Sequence, residues 1–183
     1  MGFIVAIASS PRQGNSDWML NNVIEGIETC QINCRKIVLR ERDIKVCDGC
    51  LACEQIGKCH LVDDMNSILN ELSAADGLIF AIPVRFDSVP GILKNFIDRL
   101  NPLLFDDRMK GKRMGMLVVG QLSGREGKSS RRKVINYMKN IAEIFSMEFV
   151  GSVEARGRLV GDVQKKVGEI CFRFGKDFGG CLR

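Results

Sequence analysis

The sequence predicts an α/β fold built on a doubly wound, five-stranded parallel sheet in three layers, with strand order 2-1-3-4-5. Three observations predict it. Apolar, β-rich runs alternate with amphipathic helical patterns along the chain, which implies right-handed crossovers between parallel strands. The runs are apolar at successive rather than alternate positions, as strands covered on both faces should be. The 183 residues are 45% hydrophobic and 27% charged, enough to bury such a core and compatible with one domain over 1–183.

The elements follow in order. Residues 2–8 form a buried strand, and 9–15 a turn-forming run. Ser16 then caps a helix with Leu20, Val23, Ile24 and Ile27 at helical spacing. Residues 32–39 make the second strand, and a cysteine-rich loop spans about 41–62. A helix begins at Asp63 or Asp64 and carries Met65, Ile68, Leu69 and Leu72. Residues 77–83 form the third strand, 91–100 a short helix and 113–120 the fourth strand. A glycine-rich turn leads into a helix over about 127–145. A fifth strand over 148–155 and a helix over about 162–174 follow. Sheets of this order bind ligands at the carboxyl ends of the strands beside the switch point, so the loops after strands one, three and four are the places to search.

Charge and topology signals narrow the class. A formal charge of +5, with basic residues spread along the chain, gives no reason to expect nucleic acid. The apolar start lacks the basic flank of a signal peptide. Ala6 stands where myristoylation of Gly2 would need Ser or Thr. No apolar run approaches the ~18 residues of a membrane span. The expectation is a soluble cytoplasmic protein with no membrane association. Eight cysteines in a reducing compartment point to metal or redox work where they cluster.

The first loop reads Ser9-Ser10-Pro11-Arg12-Gln13-Gly14-Asn15-Ser16. It is rich in hydroxyls and ends at a helix N-terminus, where backbone N–H groups and the helix dipole favour an anion. Ser10, Asn15 and Ser16 can donate to phosphate oxygens, and Arg12 can add a charge-assisted bond. No G-x-G-x-x-G is present. Gly127-Lys128-Ser129 opens the helix after strand four, but Leu122 stands where a Walker A loop needs glycine. The loop therefore suits a mononucleotide phosphate with no required metal, or is an ordinary turn with a serine cap.

After strand three, Pro83, Val84, Arg85, Phe86, Asp87 and Ser88 make a rigid wall on which a planar ring could lie. Lys94 on the following helix reads as a solvated charge, and Arg99 is left open. After strand four, Gly120, Gly124 and Gly127 let backbone approach a flat ligand closely. Arg125, Lys128, Arg131, Arg132 and Lys133 then crowd a helix start, against its dipole. This is either a docking site for an acidic redox partner or a nicotinamide phosphate, or a solvated face.

The sharpest chemical signal is Cys47, Cys50, Cys53 and Cys59, spaced C-x2-C-x2-C-x5-C. Compact cysteine runs of this kind serve [4Fe–4S] clusters. Gly49 and Gly57 let the backbone wrap, and Lys45 and Lys58 could offset cluster charge. Four-cysteine zinc is the rival, although such sites pair two knuckles across a longer gap; idle thiols are the third reading. Cys30, Cys34 and Cys171 read as small buried hydrophobes, Cys181 lies in the tail, and His60 is assigned no role.

Together these segments resemble the iron–sulfur flavoprotein family, within the flavodoxin-like NADPH-dependent FMN reductase superfamily. The resemblance covers residues 2–127 and rests on three stretches: Ser-Pro-Arg…Gly-Asn-Ser; the cysteine spacing with Gly57 and Asp63-Asp64-Met65; and Pro83–Ser88 followed by Leu93-Lys94-Asn95-Phe96-Ile97-Asp98-Arg99. It implies FMN and a [4Fe–4S] cluster as cofactors. Ser10, Arg12, Gln13, Asn15 and Ser16 would lie at the phosphate, Pro83 through Ser88 with Gly120 and Gly124 at the ring, and the four cysteines on the cluster. It further implies a homodimer or homotetramer with cluster and flavin close across subunits. Arg85 replaces the family's usual tyrosine and Asp87 a common glycine. Arg85 either offers charge to an anionic reduced flavin or marks a changed substrate.

The expected function is an oxidoreductase that moves electrons between the cluster, FMN and a partner such as ferredoxin, with NAD(P)H a further candidate. No side chain pairs a nucleophile with a base, so no catalytic residue is expected. The alternatives are a cluster-free NAD(P)H-dependent FMN or quinone reductase and a thiol-based redox sensor.

Overall fold

A computed structural model describes residues 2–105 and 107–180, so Cys181 lies outside the described residues. Five strands form one parallel sheet: β1 (Phe3–Ala8), β2 (Asn33–Val38), β3 (Gly77–Pro83), β4 (Arg113–Gly120) and β5 (Glu148–Arg156), in the order β2-β1-β3-β4-β5. This is the flavodoxin-like order that the alternating pattern predicts. Six α-helices connect or follow them: α1 (Asn15–Glu28), α2 (Ala52–Ile56), α3 (Met65–Ala74), α4 (Gly91–Asp98), α5 (Gly124–Ile144) and α6 (Lys165–Gly180). None is long and apolar enough to cross a membrane among the described residues.

The period-two geometry of a strand divides the core into two. Val5 and Ile7 of β1, with Leu78, Phe80 and Ile82 of β3 and Met114, Met116 and Val118 of β4, face α3, α4 and α5. Ile4, Ala6 and Ala8, with Ile79, Ala81, Leu117 and Val119, face α1 and α6. Both faces are covered, which explains the unbroken apolar runs.

The second layer is tight because small residues let α1 and α6 touch backbone to backbone. A Cβ on Gly26 would stand 2.1 Å from the Phe172 carbonyl oxygen, and one on Gly175 would stand 2.1 Å from that of Val23. These contacts fix α1, whose N-terminus faces the carboxyl edge of the sheet. Beyond β1, the buried Ser9 continues the pairing: its N–H and hydroxyl both donate to the Ala81 carbonyl, at 3.1 and 2.8 Å.

Several boundaries differ from the sequence reading. The cysteine loop contains a short helix, α2. Helix α5 begins at Gly124, whose φ of +61° makes the turn. Helix α6 runs from Lys165 to Gly180, and Gly175 within it packs on the Val23 backbone of α1 rather than ending the helix. Ser16 is not the cap of α1: the helix starts from Gly14 with no side-chain cap, and Ser16 is buried within the first turn.

Gly175→Ala should cost about 2–3 kcal/mol through overpacking against a carbonyl that cannot yield. Calorimetry should show the midpoint falling by roughly 5–10 °C for a chain of this size; an unchanged midpoint would mean that α1 and α6 can separate freely.

Candidate functional site

A cavity of about 530 Å³ opens at the carboxyl edge of the sheet, among the loops that leave β1, β3, β4 and β5. Its size is within the ordinary range for small-molecule and cofactor sites. The predicted Ser10, Arg12, Asn15, Ser16, Pro83, Val84, Arg85, Phe86, Asp87 and Gly120 all line it. Gln13, Ser88 and Gly124 lie outside the lining: Gln13 is exposed, Ser88 is used in closing a turn, and Gly124 starts α5 while Gly127, one turn on, faces the cavity.

At one end, the first turn of α1 presents N–H groups that no side chain caps. Such a terminus attracts an anion through its unpaired donors and dipole. Ser10 and Ser16 are buried beside it. Arg12 and Asn15, predicted for phosphate, are engaged with the loop after β5. Arg12 Nη2 donates to the Arg158 carbonyl at 3.1 Å, Asn15 Nδ2 donates to the Leu159 carbonyl at 2.7 Å, and the Gly161 N–H returns to Asn15 Oδ1 at 3.0 Å. Asp162 closes that loop by accepting from the N–H groups of Arg158 and Leu159, at 3.1 and 2.7 Å. Gly157 and Arg158 therefore join the lining. Sequence reasoning missed them because the bonds span 146 residues and no motif marks them.

The wall after β3 is a tight hairpin. Arg85 and Ser88 exchange backbone bonds of 2.9 and 2.8 Å, and the two central residues, Phe86 and Asp87, have φ of +46° and +60°. Two left-handed central residues are the mark of a type I′ turn, normally supplied by Asn or Gly. Each non-glycine residue there is strained by roughly 1–2 kcal/mol. Asp87 offsets this with a latch onto α5: Ser130 Oγ donates to Oδ1 at 2.5 Å and Lys133 Nζ to Oδ2 at 2.6 Å. The Lys133 and Ser130 bonds hold the Asp87 carboxyl below the usual range. Phe86 is left fully exposed at the mouth.

Across the cavity, Gly127 is required by sterics: a Cβ would lie 2.1 Å from the Leu122 carbonyl oxygen. The basic cluster of α5 divides. Lys133 holds Asp87, Arg131 pairs with Glu154 at 3.0 Å, and Arg125, Lys128 and Arg132 are exposed along the outer face.

The cysteine loop sits elsewhere, and none of its thiols lines the cavity. Its backbone winds through left-handed Gly49, Leu51 and Gly57, at φ +71°, +59° and +66°. Cys47 and Cys50 are exposed, while Cys53 and Cys59 are partly buried. Asn101 Nδ2 donates to Cys53 Sγ at 3.1 Å. Lys45 Nζ donates to the Val62 carbonyl at 3.0 Å, the Arg99 guanidinium lies against Cys59, and Lys94 is paired with Asp98 at 2.5 Å. Burial pushes the remote Cys34 and Cys171 thiols up to about 12, as for inert buried cysteines.

Both ends of this loop are held by one buried ion pair that the sequence did not disclose. Arg99 Nη1 and Nη2 donate to Asp63 Oδ2 and Oδ1 at 2.6 and 3.1 Å, with the two side chains 1% and 0% exposed. Arg99 Nη1 also donates to the Lys45 carbonyl at 2.7 Å, and Asp63 accepts from the Lys45 and Met65 N–H groups at 2.8 and 2.9 Å. Burial opposes ionisation of Asp63, but Arg99 and these N–H groups outweigh it and hold the carboxyl below its usual range.

The residues fit two groups. The uncapped helix terminus with buried serines suits a phosphate, and the cavity beside it, walled by Pro83, Val84, Gly120 and Gly127, suits a flat ring. In the cysteine loop, no three thiols lie within 4.8 Å of one another among the described residues. Four thiols on one short loop are nonetheless the soft donor set that an iron–sulfur cluster takes.

The family model described as NADPH-dependent FMN reductase matches residues 3–152. The chain is 32% identical over 149 residues to an iron–sulfur flavoprotein of Methanocaldococcus jannaschii, covering 81% of this chain and 75% of that protein. It is 30% identical over 160 residues to an iron–sulfur flavoprotein of Archaeoglobus fulgidus, covering 87% and 70%. Among solved structures, an NAD(P)H:quinone oxidoreductase from Methanothermobacter marburgensis superimposes with a TM-score of 0.76 at 17% identity, over 99% of this chain and 96% of that one, and so shares the fold.

Asp63→Asn should leave Arg99 buried without its partner and cost about 3–5 kcal/mol. The depressed folded value also sets a sign. The stability that ionised Asp63 supplies is complete above the unfolded value of ~3.9 and is lost as pH falls through the folded value. Urea unfolding across acid pH should show the native chain losing this component below about pH 4, and the variant lacking it. Parallel acid profiles would contradict the assignment.

Proposed function

Because the chain belongs to the NADPH-dependent FMN reductase family, and within it to the iron–sulfur flavoproteins, we propose that this flavin oxidoreductase carries FMN in the cavity and a [4Fe–4S] cluster on Cys47, Cys50, Cys53 and Cys59. The uncapped N-terminus of α1 beside buried Ser10 and Ser16 carries the flavin reading. When bound, FMN supplies one- and two-electron chemistry and the cluster single-electron transfer.

The chain's own residues bind, orient and exclude water. The N–H groups of the first turn of α1, with Ser10 and Ser16, would hold the phosphate. Arg12 and Asn15 keep the loop after β5 closed over that end. Pro83, Val84, Gly120 and Gly127 leave a slot for the ring, and Arg85 adds positive charge near it. Asp87 fixes the turn that carries Phe86 at the mouth.

In the cysteine loop, Arg99 holds the base of the loop through Asp63 and sets its guanidinium against Cys59. Since none of the thiols lines the cavity of its own chain, direct exchange between the two centres fits a homodimer or homotetramer that brings the loop of one subunit to the cavity of the next. The exposed basic face of α5 fits an acidic electron carrier such as ferredoxin. A nicotinamide cofactor is the competing donor: a putative NAD(P)H-dependent FMN-containing oxidoreductase of Bacillus subtilis is 27% identical over 155 residues.

Protein purified without oxygen should contain one FMN and about four iron and four acid-labile sulfide per chain, with the iron lost in Cys53→Ala. Flavin with no iron would leave a cluster-free reductase, to be assayed with NADH and NADPH. Asp87→Ala should weaken FMN binding about tenfold in a fluorescence titration. An unchanged dissociation constant would show that the latch does not shape the ring site.

A further inference from the structure

Among the described residues, one set of metal-capable side chains is gathered: Asp48, Cys50 and His60, whose ligand atoms all lie within 4.8 Å of one another. The arrangement is built by the backbone. Left-handed Gly49 brings Asp48 and Cys50 side by side, with the Cys50 N–H donating to Asp48 Oδ1 at 3.2 Å. His60 crosses from the far end of the loop and its Nε2 meets Asp48 Oδ2 at 2.8 Å. The His60 and Asp48 side chains are 44% and 48% exposed, which leaves a path for an ion and room for water.

The other three thiols have different surroundings. Cys53 accepts from Asn101 and Cys59 lies against the Arg99 guanidinium, and none of the three belongs to a metal-capable group among the described residues. Cys50 alone has a carboxylate and an imidazole within reach. One imidazole nitrogen, one thiolate and one carboxylate form a donor set for borderline divalent cations such as zinc, and not for the hard cations magnesium and calcium. Tetrahedral zinc would set these atoms ~3.4–3.6 Å apart, so small side-chain shifts suffice, and water would take the fourth position.

The geometry points to a second occupancy of the cysteine loop: in the cluster-free chain, Asp48, Cys50 and His60 bind one zinc-class divalent cation. Binding releases the Cys50 thiol proton to solvent, leaves His60 neutral with its ring proton on Nδ1, and replaces the Asp48–His60 hydrogen bond with two metal bonds. Resting on the reading of Cys50 as a cluster ligand, this occupancy excludes the cluster, and the loop holds either the iron–sulfur group or the single ion.

The test uses full-length protein stripped of iron by a chelator under argon and titrated with cobalt(II). The expected result is one cobalt per chain, with four-coordinate visible bands and a charge-transfer band sized for one thiolate. His60→Ala and Asp48→Ala should each weaken binding at least about tenfold, while Cys53→Ala should leave it intact. A charge-transfer band sized for three or four thiolates, equal loss in Cys53→Ala and His60→Ala, or no stoichiometric binding would each overturn the proposal. Retained FMN serves as the folding control for every variant. Iron and sulfide in unstripped His60→Ala should match the native protein; their absence from the native protein itself would sink the cluster reading and leave the cobalt result standing on its own.

Discussion

Every strand pairing in this sheet is parallel. From that constraint the site follows. Parallel strands discharge their connections at one edge, so the loops after β1, β3, β4 and β5 converge there, although their residues are far apart in the chain. Each loop brings something different: an uncapped helix terminus, a strained hairpin, a wall of glycine backbone and a strap held by Arg12 and Asn15. Ser9 shows how firmly the edge is set, because its two bonds to the Ala81 carbonyl carry the sheet's order one residue into the loop.

Most of the fold was legible because burial of apolar surface, which drives it, leaves a local and repetitive pattern. Apolar runs of strand length between helical patterns are written directly into the sequence, and the strand order follows from topology rules. The first and third loops were legible for the same reason, each being continuous in sequence. What escaped depends on distant partners. Arg99 looks on its helix like any charged residue, and only its placement against Asp63 and the Lys45 carbonyl makes it a buried anchor. The closure of the cavity by residues 157–162 had no local sign either. Ser16 had the right chemistry for a cap, but the helix begins earlier than its hydrophobic pattern indicates, so the serine became part of the buried floor.

The cysteine loop illustrates what a buried ion pair is for. Moving both charges out of water consumes most of what their attraction returns, so Asp63 and Arg99 add little net stability as a pair. Their use is positional. Asp63 accepts from the Lys45 N–H at the start of the loop and from the Met65 N–H beyond its end, and Asp64 repeats the link by accepting from the Asp43 N–H at 2.9 Å. The excursion is pinched at its base onto α4, and the thiol-bearing part can remain near solvent without loosening the core.

The contact between α1 and α6 has a consequence for how the chain is made. Arg12 and Asn15 find their partners 146 and 144 residues later, and the face of α1 that includes Gly26 is closed by the Phe172 backbone. At ribosomal speeds of ~5–20 residues per second, the N-terminal helix waits roughly 10–30 seconds for the segment that covers it. Throughout that interval Trp18, Val23 and Ile27 stand without their α6 cover, and the anion-binding turn has no strap. The two walls of the anion-binding end are thus made at well-separated times, and the cavity closes only after residues 158–175 have been added to the chain.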